Sequence, residues 1–524
     1  MKRVSTALHE HTGVLSSDAY GGRAPATEGG KLTTAYLERE FRALGLKPGN
    51  GDSFLQAVPV TELLTDSSTT LTFTGTNFDA RLSYGDQMVV GTQQQLTSTA
   101  LKDSPVVFVG YGIVAPERDW NDYAGIDVRG KTVVILVNDP GYATQDGELF
   151  NGNAMTWYGR WVYKYEEAAR QGAAGALIIH ETGAAAYGWN VVENSWSGPQ
   201  ISLTAQDNNT DKSEVIGWLS QGSARALFAG AGLNYDAEVA AAAKPGFRAR
   251  PLADIKANLS LDNTIRRSSS NNVIAVIPGS KRPGEIIIYT AHWDHLGTNP
   301  GIAGDNIYNG AQDNATGTAG LLSLAQLFSQ LPEPPERSVA FLAVTAEESG
   351  LLGSQWYGEN PLFPLATTVA NINMDGLNVY GPMRDVVVVG YGNSELEDYL
   401  RDAVALQPGR YVAAEPHPQR GYYYRSDHFN FARQGVPALY AESGEDSFEH
   451  GREWGAKQAQ EYTTNRYHST NDEYNPDWDM NGAALDIMLY FEIGLRLSRE
   501  STFPNWYPGA EFRSVRDASA SSRQ

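Results

Sequence analysis

The chain has 524 residues, too many for one ordinary hydrophobic core, so two domains are expected. A formal net charge of -21 argues against nucleic acid and anionic membrane surfaces as partners, and no apolar run approaches the roughly 20 residues that span a bilayer. The absence of cysteine excludes disulfides and thiolate metal sites, so any metal must be held by His and carboxylates.

Hydrophobic residues at 41% and aromatics at 10% describe a globular chain. The opening MKRVSTALHEHTG has basic residues but no apolar core and does not read as a signal peptide, although removal of one would leave the same appearance. Residues 30 to 46 place Leu37, Phe41 and Leu44 on one helical face, with Gly45 near the stop. Residues 55 to 85 read as short strands and turns. From about Pro105 the texture changes: VVFVGYGI (106–113) and KTVVILVNDP (131–140) are buried-strand patterns bounded by Gly, Asp or Pro. An Ala-rich helix, a Gly stop and a strand follow over 163–180, then a second amphipathic helix near 213–229. No paired His and carboxylate motif falls in this block. Residues 90–255 therefore read as an inserted α/β domain, with 1–89 and 256–524 forming a discontinuous second domain.

From Asn271 strands alternate with helices: NNVIAVIPG, EIIIYTAH, a helix over 317–331, RSVAFLAVTAEE, a helix near 351–358, then TVANINMD. The fold class this implies is α/β, a mixed, mostly parallel sheet flanked by helices. A last helix is expected at about 482–499, and the polar tail after about 510 is expected to fray.

The chemistry sits at strand ends. His292-Trp293-Asp294 closes the run Ile286 to Tyr289, Asp313 follows in a Gly- and Asn-rich loop, Glu347-Glu348 ends the next strand, Asp375 the third, and His468 lies in the loop RYHSTND. Parallel strands bring their C-terminal ends side by side, so these residues can converge there. Singly, each has a plainer reading: a hydrogen-bonded core pair, a turn, a helix start. Together, two His and three carboxylates suit a pair of divalent ions with one carboxylate bridging, and such a pair can activate water near neutral pH.

The order H-x-D, D-x-x-[ST]-G, E-E, strand-end D and late H resembles the co-catalytic di-zinc aminopeptidases, the superfamily of bacterial leucyl aminopeptidase and glutamate carboxypeptidase. SSDAYGGRAPATEGG and the block 422–444 also look like this family, and the inserted block is similar to a protease-associated domain. The resemblance implies two zinc ions per chain bridged by Asp313, one also taking His292 and Asp375, the other Glu348 and His468. It implies Glu347 as general base, Asp294 as the acceptor for the free ring nitrogen of His292, and Tyr467 as a hydrogen-bond donor to the oxyanion. Tyr424 is a weaker candidate for that last role, and Glu442, Glu445 and Asp446 for holding a free amine.

The implied function is a zinc-dependent exopeptidase, an aminopeptidase acting on peptide substrates, secreted or periplasmic, with neither nucleic acid nor membrane as partner. The oligomeric state is not legible. A carboxypeptidase or dipeptidase on the same scaffold would want clustered Arg for a free carboxylate, and only Arg420 and Arg425 stand near the expected pocket. A binding protein that has lost catalysis should lack ligands, and none is missing here. Among the remaining histidines, His295 and His428 are expected to support the site or pack, and His9, His11 and His180 to lie outside it.

Overall fold

Strict alternation along the run Ile286–Ala291 decides how this part of the chain is covered. Ile287, Tyr289 and Ala291 join one apolar core, while Ile286 and Ile288 join another on the opposite face. A strand buried on both faces needs helices on both, and this is what the computed structural model shows. It describes residues 1–196 and 198–523, apart from the side chains of Ala253 and Ser522.

The chain separates into two compact units. The first comprises residues 1–59, 269–416 and 425–524. Its sheet strands are β1 (Lys47–Pro48), β2 (Val273–Ile277, the end of the long strand Arg250–Ile277), β3 (Arg282–His292), β4 (Arg337–Val344), β5 (Thr368–Asn373), β6 (Asp385–Val388), β7 (Tyr411–Ala414) and β8 (Ala438–Ser443). Their spatial order is β1-β2-β4-β3-β5-β8-β6-β7. The central four, β4, β3, β5 and β8, are parallel, and β2 and β6 run against their neighbours β4 and β8. The expected mixed, mostly parallel sheet flanked by helices is thus the observed one.

One face of this sheet is covered by α1 (Lys2–Leu15), α2 (Glu28–Ala43), α3 (Thr316–Ser329) and α6 (Asn481–Arg499), through Leu8, Leu37, Leu321, Ile487 and their neighbours. The other is covered by α4 (Leu352–Glu359) and α5 (His428–Arg433), through Tyr357 and Phe431. The packing is close. Tyr289 donates its hydroxyl to the Tyr490 carbonyl at 2.6 Å, and a Cβ on Gly494 of α6 would lie 1.8 Å from that hydroxyl, so no larger residue fits there.

The second unit comprises residues 60–268 and 417–424. Three fully buried strands, Thr132–Leu136, Gly175–Ile179 and Val215–Leu219, lie parallel, with Met88–Gly91 antiparallel at the end. Segment 60–89, expected with the flanking domain, clusters here because the hairpin Thr70–Gly75/Phe78–Ser83 pairs with Lys256–Asn258.

Two expectations need correction. The helix placed near 213–229 is a strand, Val215–Leu219, followed by a helix, Gln221–Gly230. The run VIGWL is a continuous apolar strand between two others, and Ser220 caps the helix by accepting from the Ser223 amide. The tail does not fray: Arg513–Ser519 is helical (α7), and buried Arg516 donates to the Thr368 and Val369 carbonyls at 2.9 and 3.3 Å. A polar composition concealed a docking arginine. Among the described residues no helix is long and apolar enough to cross a membrane.

Candidate metal centre

The connection leaving β3 leads to β4 on one side and that leaving β5 leads to β6 on the other, so the switch point of the sheet lies between the C-terminal ends of β3 and β5. His292 stands there, Glu347 and Glu348 follow β4, and Asp375 follows β5. Asp313 enters from the turn before α3, where its φ/ψ of -108/100 departs from helix. His468 arrives from a loop, in the left-handed region at φ 54, where histidine is among the more frequent non-glycine residues.

The five converge. The His292 Nε2 lies 3.3 Å from Asp313 Oδ1 and 3.1 Å from Asp375 Oδ1, and the His468 Nε2 lies 3.3 Å from Asp313 Oδ2 and 3.1 Å from Glu348 Oε2. Each oxygen of Asp313 therefore faces a different imidazole. Donor atoms of His292, Glu347 and Asp375 lie within 4.8 Å of one another, as do those of His292, Asp313 and Glu348. Imidazole nitrogens and carboxylate oxygens at this spacing, with no thiolate, fit divalent zinc-like cations.

The motif residues between the donors hold their geometry. Asn314 donates to the Met374 carbonyl at 3.0 Å and accepts from the amides of Gly317 and Gly376, at 2.9 and 3.0 Å. A Cβ on Gly317 would lie 2.2 Å from the Asn314 Oδ1, which explains a glycine at that place in the motif. Thr316 accepts from the Leu377 amide at 2.9 Å, and Thr318 donates to the His292 carbonyl at 2.8 Å. The Asp313 and Asp375 segments are thereby cross-tied.

Asp294 plays a different part from the expected one. The His292 Nδ1 meets the backbone carbonyl of Asp294 at 3.2 Å, whereas the Asp294 carboxylate accepts the amides of Glu347 and Glu348 at 3.1 and 3.4 Å. At a strand end the side chain of residue 294 reaches the neighbouring strand's turn more readily than the ring two residues back. It sets the turn that carries both glutamates.

Several supports were not singled out from the sequence. Asp472 accepts the amides of Gln312 and Asp313 at 3.1 and 3.0 Å. Ser426 donates to Asp375 Oδ2 at 2.6 Å and accepts from Asn373, whose carbonyl oxygen receives Thr290. Buried Arg23 donates to the carbonyls of Leu15, Trp293, Asn309 and Gly310. Asp472 stood in the quoted loop RYHSTND, and Arg23 in the stretch resembling the family's opening. Ser426 stood in the block 422–444 that also resembles the family, so all three lay in stretches already marked.

The electrostatics divide the acids. Burial raises the Glu347 carboxyl well above its usual range, with Asp375 and Glu348 adding to the effect against the pull of His292. Burial would raise Glu348 too, but His468 and His295 outweigh it and bring that carboxyl down to about 2. Asp294 is pushed up to about 7 by burial. Burial alone would lower both imidazoles; the surrounding carboxylates instead hold His292 well above its ordinary value and bring His468 up to about 10. Adjacent glutamates pushed apart in proton affinity are suited to separate tasks.

Other candidates lie elsewhere. His9, His11 and His180 meet Tyr474, Tyr36 and the Tyr187 carbonyl. Tyr424 belongs to the second unit, beside Trp157. Tyr467 stacks on the His468 ring at 3.9 Å with 42% of its surface exposed. His428 is buried against Tyr440. Asp446 pairs with Arg384 at 3.3 Å, while Glu442 lies beside Tyr440 and is pushed up to about 8 by burial and then Asp375.

Residues 272–492 match the profile of peptidase family M28, the stretch that holds every donor named above. Over 128 residues the chain is 33% identical to a protein from Mus musculus described as aminopeptidase NAALADL1, covering 24% of this chain and 16% of that protein. Over 121 residues it is 30% identical to aminopeptidase YwaD of Bacillus subtilis strain 168, covering 23% and 24%. These alignments thus span a quarter or less of the curated relatives. The solved aminopeptidase of Aneurinibacillus sp. strain AM-1 superposes with a TM-score of 0.53 over 95% of both chains at 19% identity, a likeness of fold.

Proposed function

On the premise that residues 272–492 are a peptidase family M28 sequence, we propose that the chain is a zinc-dependent exopeptidase, an aminopeptidase that releases N-terminal residues from peptides. The observation that carries this reading is the Asp313 carboxylate, whose two oxygens face two different imidazoles amid further carboxylates. Two zinc ions would be held there, one by His292 and Asp375, the other by Glu348 and His468, with Asp313 common to both. Bound zinc supplies Lewis acidity, polarising the scissile carbonyl and acidifying water.

The chain's own residues do the rest. Glu347, which buries its carboxylate and has a raised proton affinity, accepts the proton of the attacking water on a carboxylate oxygen and passes it to the leaving amine. Asp294 holds the Glu347 and Glu348 amides, so the base and the neighbouring donor keep their places. Tyr467, stacked on His468, directs its hydroxyl to the carbonyl oxygen as negative charge develops. The inserted block 90–255 is read as a protease-associated domain, and the protein as secreted or periplasmic; fractionating the producing cell tests the latter.

The deciding assay compares a peptide with a free α-amine against the same peptide acetylated, each with and without a zinc chelator. Cleavage of the free peptide alone, abolished by chelation and restored by zinc, is expected. Release of C-terminal residues from the acetylated peptide would refute the aminopeptidase reading, and chelator-insensitive cleavage would refute the zinc.

A further inference from the structure

His295 lies three residues after His292 and belongs to no donor set of the reading above, yet it is 1% exposed and aimed at the same centre. Its Nδ1 is 2.6 Å from Glu348 Oε1. The other oxygen of that carboxylate, Oε2, is 3.1 Å from His468 Nε2. The two oxygens of Glu348 are thus divided: one is committed to His295, the other faces the position shared with His468 and Asp313.

The ring has little freedom to do otherwise. A Cβ on Gly310 would lie 2.4 Å from it, so the backbone of residue 310 is pressed against one face. The His468 ring stands edge-on at 5.8 Å between centroids. The His295 Nε2 is buried with no hydrogen-bond partner among the described residues. A carboxylate oxygen can only accept, so the shared proton belongs on Nδ1.

We propose that His295 is a positioning residue for the metal centre: by donating its Nδ1–H to Oε1 it restricts Glu348 to a single-oxygen ligand. A glutamate free to rotate can offer both oxygens to one cation and fill a coordination position; held through Oε1, it offers Oε2 alone and leaves that position for water or substrate. Groups that orient a ligand in this way contribute to affinity without touching the metal. The proposal rests on the two-zinc reading of Glu348.

The test uses the full chain, as wild type, H295A and H295N. Asparagine places its amide nitrogen close to where Nδ1 sits and can still donate. Zinc affinity is measured at each site by competition with a chromophoric chelator, and coordination by the visible spectrum of the cobalt(II)-substituted protein. H295A is expected to bind one of the two ions about 10- to 100-fold more weakly, with a weaker cobalt absorption as coordination number rises. H295N is expected to restore both affinity and spectrum. Wild-type affinities and spectrum in H295A would overturn the positioning role. A wild type that binds no zinc would overturn the metal reading itself, a separable outcome. Should H295A fail to fold, H295N decides: a tenfold or greater loss at either site despite its retained donor would sink the proposal.

Discussion

Arg23 is the sharpest point at which to test how the site is held. Its guanidinium makes four charge-assisted bonds to buried carbonyls: Nε to Trp293 at 2.9 Å, Nη1 to Leu15 and Asn309 at 2.9 and 2.6 Å, and Nη2 to Gly310 at 2.8 Å. Trp293 adjoins His292, and Gly310 precedes the Asp313 turn, so one side chain ties the two segments that deliver His292 and Asp313. At about 1.5–3 kcal/mol net for a bond to a charged group, even two of the four bonds contribute about 3–6 kcal/mol. Burial brings the guanidinium down to about 10, against the opposing pull of Asp472, Asp294, Asp313 and Glu348. Arg23→Met, which removes all four donors at once and leaves the Gly310 carbonyl only the Ala315 amide, is expected to destabilise by at least about 3 kcal/mol. Arg23→Lys keeps the charge, but a compact ammonium cannot span four acceptors, so it should recover only part. The assay is hydrogen exchange of the β3 amides in the metal-free protein across a urea series. A loss under about 1 kcal/mol for Arg23→Met would show that the carbonyls find other donors and refute the reasoning.

Three other outcomes are expected. Glu347→Gln should retain zinc by elemental analysis while turnover falls about 10²- to 10⁴-fold; full activity would remove Glu347 as the base. Gly317→Ala should cost about 1–3 kcal/mol, because its Cβ would enter the space of the Asn314 carbonyl oxygen; an unchanged urea midpoint would contradict that close approach. Burial holds the His11 imidazole below its ordinary 6.5, against the opposing pull of Glu40. Between that lowered value and 6.5 the unfolded chain binds the proton and the folded chain does not, so stability is lost as pH falls through this window. His11→Gln should flatten the acid side of the stability curve, and an unaltered slope between pH 7.5 and 5.5 would dismiss the effect.

Much of the site was readable because its chemistry is written at strand ends. The parallel strands β3, β4 and β5 carry buried runs, apolar in β3 and β4 and interrupted by Asn371 and Asn373 in β5, and the ionisable residue after each marks the sheet's C-terminal edge. His292, Glu347, Glu348 and Asp375 could be named for that reason, and the helices between them set the parallel class. Two other stretches were less legible. The strand Val215–Leu219 was taken into a helix, since a short apolar run has no period of its own. The tail concealed Arg516, because composition reports solubility and not which arginine finds two carbonyls.

By itself, then, the sequence determined the sheet, the order of the donors along the chain and the absence of sulfur ligands, all properties of local pattern and composition. Only the tertiary structure decided who holds whom. Asp472 grips the amide of Asp313 across 159 positions, Arg23 the carbonyl of Trp293 across 270, and His295 the carboxylate of Glu348 across 53. The Asp294 carboxylate, 3.9 Å from the His292 ring nitrogen, is committed to the glutamate amides for the same reason. Hydrogen bonds are chosen by distance in space, and separation along the chain carries no record of it.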